Sequence, residues 1–411
     1  MMRSILSICL LLFLSQLGAQ NHPSCDGMRY RLDVFSDVTT TLAVKFGENT
    51  TIAGNAQELF MDIYEPTGDD LANRPVIVLA YGGSFISGVR ADMAFLCEAY
   101  AKKGFVAVSI DYRLYDGPLF PIPSGETMQD VVIKTVSDMK AAIRFLREDA
   151  ATDNVYRIDA DYVFVGGISA GAITAAHTAF LDDTDTFTPA LAAIIEANGG
   201  LEGNSSDNLQ YSSAVQGVVN FSGALNDASW IDAEDPPFFS VHDQLDPIVP
   251  FMGAPATILG FDIIYVEGSF LLKEQADAVG VENQLFVIAN SQGHVSYFQS
   301  SAETTILYIN RSAEYLHYLV CGEFISSLTE ADQQLAGLLV YPNPTTGLLN
   351  LRQDGDEVLE VRLSNALGQL VGQWSNSRQL DLTTFPTGMY LLEVRDAATQ
   401  GRVVRKVVLE R

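Results

Sequence analysis

Residues Gly167-Ile168-Ser169-Ala170-Gly171 stand between an apolar run, Tyr162-Val163-Phe164-Val165, and a stretch of helical character, Ala172 to Leu181. A Gly-x-Ser-x-Gly in that position demands one backbone shape: a strand that turns at once into a helix, with the serine at the apex. The residues flanking the serine must lack side chains, or the strand and helix backbones would collide. The serine is expected in a strained conformation, its hydroxyl pushed outward. It stands at a helix N-terminus, where backbone N–H groups favour negative charge. The chain has 32 glycines, so the match alone does not exclude an ordinary Gly-rich connection, and the partners of the serine must decide.

A serine that forms an acyl intermediate needs a base, an acid to orient it, and donors for an oxyanion. Candidates for all three occur. Tyr81-Gly82-Gly83-Ser84-Phe85 follows a buried-strand pattern, Pro75 to Ala80, and its small residues allow close backbone approach to a carbonyl. The N–H groups of Gly83 and Ser84, with that of Ala170, are the expected oxyanion donors. Asp246 lies in the loop after the strand pattern Pro237 to Val241, with Asp243 and Asp227 as competitors. Among the five histidines, His294 alone falls in a loop between a late strand pattern, Gln284 to Ala289, and a late helix pattern, Thr304 to Leu319. Ser169, Asp246 and His294 are therefore the expected nucleophile, acid and base. Their order along the chain, after the glycine loop, is that of an α/β-hydrolase.

Further segments carry a family resemblance. Tyr81 to Phe85 resembles the His/Tyr-Gly-Gly-Gly-Phe loop of carboxylesterases and hormone-sensitive-lipase-like esterases. Ile110-Asp111-Tyr112-Arg113-Leu114 is similar to the Asp-Tyr-Arg-Leu segment after their next strand. Asp138 to Glu148, followed by Ile158-Asp159-Ala160-Asp161, resembles the helix and turn that lead into their elbow, and His242 to Pro250 resembles their acid loop. The resemblance spans roughly residues 55 to 320. It implies an α/β-hydrolase fold and carboxylic ester hydrolysis by Ser169, His294 and Asp246 without a cofactor or metal. Three departures, Ser84, Ile168 and Asp243, stand where the family has a glycine, a polar or acidic residue and a glycine. The family's substrate assignment does not carry over. A lipase, a serine peptidase or a noncatalytic binding protein on the same scaffold are the alternatives.

Arg3, the mostly apolar run Ile5 to Leu14 and the small residues before Gln20 read as a signal peptide over residues 1–19. No run reaches the 18 or so consecutive apolar residues of a transmembrane helix. Three cysteines remain beyond it, Cys25, Cys97 and Cys321. One disulfide and one free thiol would suit an exported protein, but spacing does not reveal the pair. The net charge is -27. Residues from Leu338 onward carry eight basic and eight acidic side chains, so the whole excess lies before them. That surface argues against nucleic acid and anionic lipid as partners.

Alternating strand and helix patterns predict a mostly parallel sheet with helices on both faces over residues 20–325. The strand patterns are Glu58 to Tyr64, Val76 to Tyr81, Val106 to Asp111, Tyr162 to Gly166, Gly217 to Phe221, Phe238 to His242 and Gln284 to Ala289. Helices are expected at Ala91 to Lys103 and Met128 to Arg147, and edge-strand material within Asn21 to Asn55. A polar stretch, Asp182 to Ser213, suits either a small lid or rim beside the site or a surface excursion. After a linker, 326–337, five short strand patterns with turns predict a small all-β sandwich over 338–411. Val340-Tyr341-Pro342-Asn343-Pro344-Thr345-Thr346-Gly347, Pro386-Thr387-Gly388-Met389-Tyr390 and the final Arg405-Lys406-Val407-Val408-Leu409 resemble the C-terminal sorting domain of type IX secretion substrates in Bacteroidetes. The resemblance implies a secreted or cell-surface protein handed to the type IX machinery. A small-molecule or polysaccharide-linked ester would be its substrate.

Overall fold

A computed structural model describes residues 22–322, 338–352, 359–365, 370–396 and 402–410. The chain divides into two compact units, Met1–Gly322 and Glu323–Arg411. The expected signal peptide and linker lie outside the described residues.

In the first unit the strands are β1 (Val38–Thr50), β2 (Ala56–Pro66), β3 (Arg74–Ala80), β4 (Val106–Ile110), β5 (Ile158–Ile168), β6 (Val218–Phe221), β7 (Ala224–Leu225), β8 (Phe238–Asp243), β9 (Gly253–Ile258), β10 (Phe261–Gly268) and β11 (Asn283–Ile288). Eight of them form one sheet in the order β1-β2-β4-β3-β5-β6-β8-β11. The pairs β1/β2 and β2/β4 are antiparallel, and every later pair is parallel. Strands β3, β4, β6 and β8 are buried along their whole length. This is why they read as mostly apolar segments rather than as strict alternations. Strand β1, largely exposed, is the edge strand expected within Asn21 to Asn55.

The helices are α1 (Ala94–Lys102), α2 (Gly125–Ala151), α3 (Ala170–Phe180), α4 (Pro189–Ala197), α5 (Ser269–Val279) and α6 (Ala302–Cys321). They form two groups on the two faces of the sheet. Tyr100 of α1 bonds Ser312 of α6 at 2.7 Å, and Thr135 of α2 bonds Thr174 of α3 at 2.9 Å. The helix expected from Ala91 begins as a 3-10 turn, Arg90–Met93, before α1.

Residues 182–213 carry α4, and their later part is pinned to α2. Lys140 donates to the Leu201 carbonyl, Arg144 to that of Glu202, and Ser205 to the carboxylate of Asp138. Asp138 also takes a buried ion pair from Arg113. A disulfide joins Cys25 to Cys321 across 296 residues, and Cys97 is a buried free thiol. No helix among the described residues is long and apolar enough to cross a membrane.

The second unit has two antiparallel sheets, β12 (Leu339–Tyr341), β13 (Leu348–Arg352) and β16 (Gln379–Asp381) in one, and β15 (Leu370–Ser375), β14 (Leu359–Asn365), β17 (Gly388–Asp396) and β18 (Arg402–Leu409) in the other. Leu349, Leu351 and Leu380 of the first sheet and Leu359, Val361, Leu363, Leu392 and Val407 of the second share one apolar core. The expected five strands are present. Strands β12 and β16, three residues each, are too short for an alternation to register in the sequence.

Candidate active site

Strand β5 ends at Ile168 and helix α3 begins at Ala170, leaving Ser169 alone to make the turn. Its backbone has φ 55° and ψ -117°, outside the ordinary regions for a residue with a Cβ. The glycines act as expected. A Cβ on Gly167 would stand 2.3 Å from the carbonyl carbon of Gly171, and one on Gly171 would stand 2.0 Å from the Ala80 oxygen. The elbow closes only because strand β5, helix α3 and the end of β3 touch backbone to backbone.

His294 lies in the loop after β11, and Asp246 in the loop after β8. The three side chains meet. Ser169 Oγ is 2.7 Å from His294 Nε2, and His294 Nδ1 is 2.6 Å from Asp246 Oδ2. The other carboxylate oxygen, Oδ1, accepts the backbone N–H groups of Ile248 and Val249 at 2.8 and 3.1 Å. With Oδ1 so occupied, Oδ2 is held towards the imidazole. Burial pushes the Asp246 carboxyl up. The N–H groups of His242 and His294 beside it outweigh burial and hold it below the usual carboxylate range.

The competitors are engaged elsewhere. Asp243 accepts the backbone N–H of Ser296 at 2.9 Å and its hydroxyl. Asp227 caps a 3-10 turn by accepting the Ser229 N–H. His177 is buried in α3 against the Ile173 carbonyl, His317 bonds the Arg29 carbonyl, and His22 meets Asp159. His242 is fully buried beneath the acid loop. Its Nε2 donates to the Val249 carbonyl at 3.0 Å, and its Nδ1 accepts from the Ser269 hydroxyl at 2.7 Å.

The glycine loop after β3 runs against the elbow. A Cβ on Gly82 would lie 3.3 Å from Ser169 Cβ and 3.0 Å from the Ile168 carbonyl. Gly83, Ser84 and Phe85 all have positive φ, 128°, 54° and 62°. The N–H groups of Gly83 and Ser84 donate to no group among the described residues. Ala170 is the first residue of α3, and the first N–H groups of a helix have no intrahelical acceptor. The loop is anchored by Tyr112, whose hydroxyl donates to the Tyr81 carbonyl at 2.7 Å while the two rings stack at 4.3 Å.

Beside Ser169 opens a cavity of about 60 Å³. Ser84, Ser169 and Ala170 form one end, and its walls are mostly apolar side chains of α2, α3, the acid loop and the β9–β10 hairpin. The polar stretch 182–213 contributes nothing to this lining. Sequence reasoning did not find the hairpin. Its available signal was Leu259-Gly260, a two-residue turn with both φ positive, at 52° and 80°, set between apolar segments.

Comparison with known proteins agrees with this architecture. Residues 61–230 match the BD-FAE family, and residues 339–410 match the secretion system C-terminal sorting domain. Esterase LipQ of Mycobacterium tuberculosis is 27% identical over 195 residues, 43% of this chain and 43% of its own length. The probable isoprenylcysteine alpha-carbonyl methylesterase ICME of Oryza sativa subsp. japonica is 32% identical over 127 residues, 31% of this chain and 27% of its own. The chain thus spans less than half the length of these curated relatives. Thermogutta terrifontis esterase 2 phosphoramylated by tabun is 20% identical with a TM-score of 0.51, covering 70% of this chain and 97% of that one. The same esterase phosphorylated by paraoxon is 21% identical with a TM-score of 0.50, covering 70% and 96%. The likeness to these structures establishes the fold. A type IX sorting domain marks a secreted or cell-surface protein. The chain therefore combines an α/β-hydrolase fold, within which residues 61–230 match the BD-FAE family, with a C-terminal segment that matches the secretion system sorting domain.

Proposed function

We propose that this protein is a secreted serine carboxylesterase, with Ser169 as nucleophile, His294 as base and Asp246 as the acid that orients it. The observation that carries the reading is the continuous chain of short contacts, Ser169 Oγ to His294 Nε2 and His294 Nδ1 to Asp246 Oδ2, at 2.7 and 2.6 Å. Asp246 accepts the Nδ1–H, so Nε2 is free of its proton and faces the serine hydroxyl. Ser169 Oγ attacks the ester carbonyl while Nε2 takes its proton. The imidazolium then gives that proton to the departing alkoxide. Water repeats the sequence on the acyl-enzyme and releases the acid.

The negative oxygen of each tetrahedral intermediate would lie among the N–H groups of Gly83, Ser84 and Ala170. Each such donor contributes roughly 3 kcal/mol to the transition state. In this reading the all-β unit directs export through the type IX machinery and takes no part in the chemistry.

A fluorophosphonate probe tests the assignment. It should label the wild-type protein covalently, and Ser169→Ala should abolish both labelling and hydrolysis of p-nitrophenyl acetate. Labelling that persists in the variant would place the nucleophile elsewhere.

A further inference from the structure

The β9–β10 hairpin lies between β8 and α5 in the chain, and it is tied to the site at both edges. Thr257 N–H donates to the Ile248 carbonyl at 2.9 Å, and Thr257 Oγ1 donates to that of Pro247 at 3.0 Å, both just beyond Asp246. On its other side β10 pairs with β7, Glu267 against Leu225 and Gly268 against Ala224. Residues on one face of the hairpin project into the cavity. Ala256 and Ile264 are directly opposed across the two strands, and Ile258 and Val266 flank them. The register slips between Asp262 and Ile264, so that the consecutive Ile263 and Ile264 both reach the lining.

The position of the cavity about Ser169 identifies the part of a substrate it receives. Its lining includes Ser169 and two expected oxyanion donors, Ser84 and Ala170, but not His294. In acyl transfer the leaving oxygen must face the base, because the base protonates it. The acyl substituent then lies on the remaining side of the carbonyl carbon. A pocket that touches the nucleophile and the oxyanion donors while excluding the imidazole is therefore on the acyl side.

We propose that the β9–β10 hairpin is the acyl-selecting wall of this enzyme and admits short apolar acyl groups, leaving the alcohol unrestricted by the hairpin. This rests on the esterase reading above. The cavity measures about 60 Å³. That is roughly four to six times the 10–15 Å³ that a single water needs, which is room for a chain of only a few carbons. Ile258, Ile264 and Val266 offer no hydrogen bond to a hydroxylated or charged acyl chain. Of the polar side chains in the lining beyond the Ser84 and Ser169 end, Thr257 Oγ1 is given to the Pro247 carbonyl and Asn226 Oδ1 to His177, which leaves Gln129. Burying such a group unpartnered is unfavourable.

Two variants of opposite sign test the wall. Ala256→Phe fills the cavity from β9, and Ile264→Ala enlarges it from β10. The assay is kcat/KM on p-nitrophenyl acetate, butyrate, hexanoate and octanoate, and separately on ethyl, butyl and benzyl acetate. One methylene in an apolar pocket is worth roughly 10–200-fold. Ala256→Phe should lower the butyrate-to-acetate ratio at least tenfold. Ile264→Ala should raise the hexanoate-to-butyrate ratio at least tenfold. Neither should change the ratios among the acetates more than about threefold, and both should still react with the fluorophosphonate. Acyl-chain ratios unmoved in both labelled variants, or a shift confined to the alcohol series, would overturn the proposal. If the wild type neither labels nor hydrolyses any ester, the esterase reading itself fails and the proposal falls with it.

Discussion

Asp246→Asn is a near-isosteric change whose effect follows from the hydrogen bonds around the acid loop. In the wild type Oδ1 accepts two backbone N–H groups, from Ile248 and Val249, and Oδ2 accepts from His294 Nδ1. An asparagine has one acceptor oxygen and one NH2. If its oxygen replaces Oδ1, both backbone donors stay satisfied and the NH2 points at His294. If the amide turns over, the NH2 faces two N–H groups and leaves both without an acceptor. Each orphaned donor costs about 1–3 kcal/mol, so the first arrangement is favoured by roughly 2–6 kcal/mol.

In that favoured arrangement His294 Nδ1 must accept, which moves the ring proton to Nε2, against Ser169. The serine then has no base. At 1.36 kcal/mol per factor of ten, the competent arrangement is depleted about 30-fold to more than 10⁴-fold. The expected loss in kcat lies between about 30-fold and 10⁴-fold, the upper value being that of a triad whose acid is amidated. The assay is steady-state hydrolysis of p-nitrophenyl acetate near pH 8, with circular dichroism and Tm as controls for folding. Asp243→Asn, whose carboxylate serves Ser296 instead, should cost less than tenfold. An Asp246→Asn enzyme that keeps more than a third of its kcat, or an Asp243→Asn enzyme that loses more, would refute the assignment of the acid.

Two further outcomes follow from features away from the triad. The Cys25–Cys321 bridge closes a loop of 296 residues, for which chain entropy sets an upper bound of about 5–6 kcal/mol and ordinary disulfides yield about 2–4. The double serine variant should therefore melt about 3–6 °C lower. A Tm within 1 °C of wild type would show that the bridge does not restrain the unfolded chain. Asp235, pushed up to about 7 by burial with the carboxylates of Asp232, Asp182 and Asp185 adding to it, retains a proton that the unfolded chain has lost above about pH 4. Stability should fall as pH rises from about 4 to 7. Asp235→Asn should flatten that slope and raise the Tm at pH 8, and an unchanged slope would show that another group is responsible.

Much of the fold was legible because its strands are buried on both faces. Val76 to Ala80 is an unbroken apolar run, Val106 to Ile110 and Val218 to Phe221 are interrupted only by Ser109 and Asn220 respectively, and each is a strand of the parallel sheet. The site was legible where backbone demands restrict residue type, as at Gly167 and Gly171, where any Cβ would enter a neighbouring backbone. Three parts were not legible. The partner of Cys25 is set by how the N-terminal leader docks, through His22 on Asp159 and the Arg29 carbonyl on His317, which no spacing encodes. The hairpin escaped because Pro255 and the slip after Asp262 interrupt strict alternation, and Gly253 and Ala254 have weak strand preference. The stretch 182–213 gave no sign of its role, since its contacts with Arg113, Asp138 and Arg144 depend on residues distant in the chain.

The covalent link between Cys25 and Cys321 also decides how the hydrolase unit bears load. Cys321 is the last residue of α6, and the sorting unit follows it in the chain. Tension applied between the two ends of the protein, by export machinery gripping the C-terminal unit or by attachment at a surface, reaches the sulfur bridge and crosses to Cys25. The residues between, which carry the whole eight-stranded sheet and the side chains of Ser169, Asp246 and His294, lie outside the line of force. While the bridge is intact, the catalytic unit can be pulled through its ends without its strands being sheared apart. Reduction of the bridge would transfer the same tension to α6 and the strands behind it.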